Sequence, residues 1–179
     1  MQRKSCMNTT HLQTSTKKST SLYNSLFSSF LSNGITAWGL TYDTYLKPLY
    51  LLQKKILRCI SFSHFAAPSS PIFRSLKILK LEDIIHSNIL MFVYKALNKV
   101  SPTCFHSYFK ISVHRIGTRQ VTRGDLFKSF KNTTLYGLKT IKYFGSKLWN
   151  TIPLFIRVSS STSVFRSSLK TFFIDSYLH

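Results

Sequence analysis

The chain has 179 residues, 44% of them hydrophobic, and carries 25 Lys and Arg against 5 Asp and Glu, a net charge of +20. That is apolar material enough for one domain with a real core. So lopsided a charge balance excludes the usual mixed-sign surface and points to a polyanionic partner, most often nucleic acid and less often an anionic membrane surface.

The first segment, residues 1–20, is polar, rich in Ser and Thr and free of acids, and is expected to be disordered. It lacks the apolar core of a secretory signal. Cys6, Cys59 and Cys104 are scattered, which suits a reducing compartment better than a disulfide framework. No apolar run approaches the ~18–20 residues that a membrane span needs. The expectation is an intracellular protein, cytoplasmic or nuclear, neither secreted nor partnered with a membrane.

"LYNSLFSSFLSNGITAWG", residues 22–39, places Leu22, Tyr23, Leu26, Phe27, Phe30 and Leu31 in pairs four apart. That spacing predicts a helix near 22–33 with all six on one stripe, closed by Asn33-Gly34 and followed at once by Trp38. "DTYLKPLYLLQKKILRCISFS" predicts a second helix near 44–62, capped by Asp43 or Thr44 with Pro48 in the first turn. Its buried face is Leu49, Leu52, Ile56, Leu57 and Ile60. Lys54, Lys55 and Arg58 fall largely off that face. A basic amphipathic helix can sit on phosphates, and a merely solvated face is an equally ordinary account.

Pro68 and Pro71 mark a loop that leads into a short helix around Phe73 and Leu76. A long helix near 82–100 follows, with Ile85, Ile89, Phe92, Val93, Ala96 and Val100 on its apolar face and Pro102 ending it. Residues 103–135 are less regular, with Lys110, Arg115, Arg119, Arg123, Lys128 and Lys131 set against Asp125 and interleaved with Phe and Tyr. A helix near 138–150 turns Ile141, Phe144, Leu148 and Trp149 inward and closes at Asn150. A last helix near 163–176 aligns Val164, Phe165, Leu169, Phe172 and Phe173. The expected fold is mainly α: a helical bundle over residues 21–179 with an irregular basic segment between its two halves.

The chemistry of the five acids is restrictive. Two-metal catalysis needs clustered carboxylates holding Mg²⁺ ions about 3.5–4 Å apart. The adjacent acids Glu82-Asp83 stand at a predicted helix start, where they complement the dipole. Cys104, His106 and His114 do not have the spacing of a zinc motif. The chain has neither a nucleophile elbow nor a Gly-rich phosphate loop. No catalytic residue, metal ligand or cofactor is assigned, and neither enzymatic activity nor a small-molecule substrate is expected. Nucleic-acid contact is the remaining chemistry, with Lys54, Lys55, Arg58, Arg115, Arg119 and Arg123 as candidates. Lys and Arg neutralise phosphates and the interleaved aromatics can stack on unpaired bases; core aromatics beside solvated cations are the rival account.

The order of these segments resembles the region that follows the catalytic palm in reverse transcriptases of non-LTR, LINE-type retrotransposons. "LYNSLFSSFLSNGITAWG" resembles that family's L-Y-x-S-L helix followed closely by W-G, and "LLQKKILRCIS" its Q-K-K-x-x-R-x-I helix. "PIFRSLKILKLEDI", the Thr118–Gln120 stretch "TRQ", "YFGSKLWNTIP" and "SVFRSSLK" match later family segments in order, over roughly residues 21–175. The resemblance implies a thumb and C-terminal region whose partners are RNA, DNA or an RNA/DNA hybrid. Fingers, palm, the Asp-Asp active site and any endonuclease domain have no counterpart here, which implies a remnant of a mobile element. In a whole enzyme Leu22, Phe27, Phe30, Leu31 and Trp38 would pack on the palm, so apolar surface and self-association are expected around them. Two further classes stay open: an independent small basic RNA- or DNA-binding protein domesticated from such an element, and an assembly protein whose charge is incidental.

Overall fold

Residues 15–111, 125–126 and 135–178 are described in a computed structural model of the chain, and they are mainly α-helical, as the apolar periodicity predicts. Helix α1 covers 15–32, so residues 15–20, at the end of the segment expected to be disordered, are helical. Its middle, Tyr23–Ser28, is π-helical, and it closes with the α-helical turn Ser29–Ser32. The six apolar residues do not act as one buried stripe. Tyr23 and Leu31 are buried and Phe27 half-buried, whereas Leu22, Leu26 and Phe30 are 60%, 70% and 76% exposed. At 100° per residue these positions would fan over about 180°, wider than one core contact can cover, and the i→i+5 turn keeps the two rows of fourfold spacing apart.

Gly34, in the left-handed conformation at φ 64°, turns the chain into the short helix α2, Ile35–Trp38. Gly39 then passes so close to helix α5 (Leu81–Leu97) that a Cβ there would lie 3.0 Å from a methyl carbon of Ile85. Helix α3 spans Asp43–Ile60. The capping expectation is corrected: Tyr42 is the N-cap and makes no side-chain cap bond, with Asp43 already in the first turn. Pro48 consequently sits in the second turn, where it removes one intrahelical N–H donor. The face is corrected as well. Leu52 is 46% exposed while Gln53 is fully buried beside Leu57 and Ile60.

Helices α3, α4 (Ser69–Ser75) and α5 end in one way. After each, a residue at positive φ (Phe62, Lys77 or Lys99) donates its N–H back across the last turn, and the next residue's N–H reaches the carbonyl of Arg58, Phe73 or Lys95 at 2.9–3.0 Å. This is the Schellman arrangement, built here without glycine. It ends α5 at Leu97, short of Pro102, and leaves Val100 64% exposed rather than on the apolar face.

Helix α5 is buried on nearly every side and is the hub of the fold. Its first half packs with Leu31, Ile35 and Phe144; its second half packs with Trp149, Phe165, Leu169 and Phe173. Leu135–Leu138 forms the short α6 and Ile141–Trp149 forms α7. The two are separate helices because Thr140 is extended and its hydroxyl caps the Tyr143 N–H at 3.4 Å. After α8, Leu154–Arg157, Ser161 caps the Val164 N–H and α9 runs over Thr162–Asp175. Tyr94 stacks on Phe165 of α9 at 4.3 Å between centroids, whereas Val164, expected inside, is 48% exposed. A third cluster joins Tyr23, Leu57, Ile60 and Phe73. Among the described residues the one β feature is an isolated antiparallel bridge, Ile111 to Leu126.

Candidate nucleic-acid interface

Helix α3 brings Lys54, Lys55 and Arg58 together on its outer side. Their surroundings differ. Lys55 is exposed. The Lys54 ammonium lies 4.0 Å from the centre of the Tyr50 ring, a cation–π contact within its own helix. Arg58 donates its Nε–H to the Ala67 carbonyl at 3.1 Å and so ties down the loop after α3, leaving the rest of its guanidinium to solvent or a ligand. Arg115, Arg119 and Arg123 lie outside the described residues.

Two of the five carboxylates, Asp83 and Asp125, are engaged within the protein, while Asp43 stays exposed with Lys139 3.9 Å away. Arg157 Nη1 donates to Asp125 at 2.6 Å, with both side chains largely shielded from water. The Tyr177 hydroxyl donates to Asp83 and accepts from the Lys80 N–H at 3.0 Å. Burial raises the Asp83 carboxyl above its ordinary range, opposed by the Tyr177 hydrogen bond. Burial likewise lowers His86, whose ring lies 5.6 Å from that of Phe144, and raises Tyr177, which the Asp83 hydrogen bond raises further. Glu82 and Asp83 do stand in the first turn of α5. Asp83 also fastens the C-terminal segment through Tyr177, which the sequence did not signal. Glu82 and Asp175 are exposed.

Besides an open concavity of ≈ 580 Å³ along Leu26 and Phe30 of α1, two grooves bear on binding. The larger, ≈ 590 Å³, has an apolar floor that includes Leu46, Ile85 and Phe144 and a mixed-sign rim, with Asp43 and Glu82 facing Lys47 and Lys139. The smaller, ≈ 300 Å³, lies between α1, α5 and α9 and is lined by Lys77, Arg166 and Lys170 with no carboxylate. Sequence reasoning missed these three cations. They come from segments far apart in the chain, and no local spacing announces their meeting.

Among the described residues no group of three His, Cys, Asp or Glu is placed to hold a metal ion. No described helix is long and apolar enough to cross a membrane. Comparison with family models, curated proteins and solved structures returns no match.

Proposed function

We propose that the chain is a palm-less remnant of a non-LTR retrotransposon reverse transcriptase, and that its present activity is sequence-independent binding of RNA, DNA or an RNA/DNA hybrid. The ordered family-like segments over roughly residues 21–175 support the origin. One observation carries the binding: against 25 Lys and Arg there are 5 acids, and Asp83 and Asp125 among them are held by Tyr177 and Arg157. The chain therefore keeps a large excess of positive charge for phosphates to answer. Reverse transcription needs a carboxylate cluster that this chain does not supply, so the reading assigns no polymerase, nuclease or hydrolase activity.

Fluorescence anisotropy with labelled RNA, DNA and hybrid strands across a salt series tests the reading. With about 4–6 phosphates contacted, log K against log salt is expected to fall with a slope of roughly −3 to −5 for every sequence alike. Charge reversal at Lys54, Lys55 and Arg58 together with Arg115, Arg119 and Arg123 is expected to weaken all three. Binding that ignores salt, or primer extension with Mg²⁺ above a buffer control, overturns it. The exposed row Leu22, Leu26 and Phe30 favours a second reading, an assembly protein. A defined oligomer with no affinity for nucleic acid selects that one.

A further inference from the structure

We infer that the phosphodiester backbone of a bound strand is seated in the groove between α1, α5 and α9, on Lys77, Arg166 and Lys170, rather than on the basic face of α3. This rests on the nucleic-acid reading above and assigns its site.

The first ground is electrostatic. Three cations line one concavity with no acid among its walls. Among the described residues none of the three has a carboxylate partner, the ion pairs being Lys139–Asp43 and Arg157–Asp125. Arg166 and Lys170 stand one turn apart on α9, a spacing at which like charges repel. An anion lying between them removes that repulsion, and the concave wall concentrates the field that draws it in.

The second ground is preorganisation. Arg166 and Lys170 each follow directly on a fully buried residue, Phe165 and Leu169, so the backbone carrying them is fixed in the core. Lys77 is pinned by the Schellman bonds that close α4: its own N–H reaches the Arg74 carbonyl, and the Ile78 N–H reaches Phe73. Charges held in place lose less freedom on binding than charges on mobile backbone. The α3 cluster is arranged otherwise. It projects from the convex side of one helix, Lys54 lies on Tyr50 and Arg58 is tied to Ala67.

The third ground is the lining between the cations. Beside apolar residues such as Ile78 and Met91, Asn24 and Ser28 of α1 line the groove. So do Ser32 and Asn88, which also donate to the Ser28 and Ile84 carbonyls of their own helices. The four polar side chains are short neutral hydrogen-bonding groups of the kind that accompany Lys and Arg at phosphate and sugar contacts. By contrast, the larger groove places Asp43 and Glu82 on its rim, where an approaching phosphate would be repelled.

The test uses the full chain and a labelled mixed-sequence RNA oligonucleotide. Neutralising the groove with K77Q/R166Q/K170Q is expected to weaken binding about tenfold or more at low salt and to flatten the salt slope by roughly 2–3. Neutralising α3 with K54Q/K55Q/R58Q is expected to change affinity less. The wild-type chain supplies a readout that needs no variant to fold: lysine acetylation followed by mass spectrometry. Bound oligonucleotide is expected to slow acetylation of Lys77 and Lys170 more than that of Lys55. If the wild type binds RNA but the groove variant binds equally well, or Lys77 and Lys170 stay unprotected, the groove assignment falls and the nucleic-acid reading stands. Equal protection by inorganic tripolyphosphate at the same phosphate concentration also overturns it, since the groove would then be a general anion sink. A wild type that binds no nucleic acid overturns both.

Discussion

Gln53 donates its side-chain N–H to the Tyr23 hydroxyl over 2.8 Å, joining the second long helix to the first at a point closed to water. The same amide donates to the Leu79 carbonyl at 2.9 Å, and its oxygen accepts the Leu81 N–H at 3.0 Å. One side chain thus caps the start of α5 and fastens α1 to α3. Replacing Gln53 with Leu leaves several buried groups without partners, and a loss of about 2–4 kcal/mol is expected in urea unfolding. Tyr23→Phe removes a single bond and is expected to lose about 0.5–1.5 kcal/mol. Equal stability of Gln53→Leu and the wild type would refute this role.

Acidification provides a second check. Burial holds His86 below its ordinary value of 6.5, so the unfolded chain takes up the proton first. The stability contributed by neutral His86 is present above pH 6.5 and is lost as pH falls through the lower, folded value. Asp83 runs the other way. Its folded value lies above 3.8, so its contribution is present below pH 3.8 and is lost as pH rises through the folded value. The urea midpoint of the wild type is expected to decline as pH drops below 6.5, and His86→Leu to flatten that decline. An unchanged pH profile in the variant contradicts the assignment.

Arg157 holds three groups at once: Asp125, the Asn150 carbonyl at 3.0 Å and the Ile152 carbonyl at 2.9 Å. Asn150 meanwhile pairs with both backbone groups of Leu126. Arg157→Leu takes the guanidinium away from a largely shielded carboxylate and from two backbone carbonyls, and is expected to lose about 3 kcal/mol. Asp125→Asn, which keeps hydrogen-bonding capacity, is expected to lose less. Thermal melts of the two variants in one buffer decide the order.

Lys99 occupies a left-handed position that glycine fills at lower cost, and its side chain is exposed. Lys99→Gly is expected to raise stability by about 1 kcal/mol by relieving that strain. A destabilised variant would mean that the lysine side chain makes a contribution its exposure conceals.

The two apolar rows of α1 are expected to respond oppositely. Leu31→Ala, in the core, is expected to lose about 2–5 kcal/mol. L22S/L26S/F30S is expected to change stability little and to abolish concentration-dependent association in sedimentation velocity at low salt. Association that survives in the triple variant places the contact elsewhere.

The long helices were legible because apolar spacing reports one face well, and Phe165, Leu169 and Phe173 of α9 are buried as their spacing requires. Helix ends were less legible. The residues Phe62, Lys77 and Lys99 fill positions where the sequence cue is glycine or asparagine. The start of α5 is capped by Gln53 and Tyr177, side chains that only the tertiary fold brings there, so no local capping pattern exists to be read. Leu52 and Gln53 exchanged roles because a buried hydrogen-bond partner outweighs hydropathy at that position. Of the candidate binding residues, those on α3 were visible as a charge run, whereas the groove cations become neighbours only in the fold.

The π-helical turn in α1 carries a consequence for how this chain tolerates length change. Such a turn is what a regular helix becomes on accepting one inserted residue. Removing one residue from Tyr23–Ser28 would restore regular pitch and leave the residues upstream, Leu22 included, facing nearly as they do, because the wide turn already absorbs the extra residue. A frame-preserving codon loss in this short window is thus the length change that α1 is built to tolerate, sparing the core contacts made by Leu31 and Ile35.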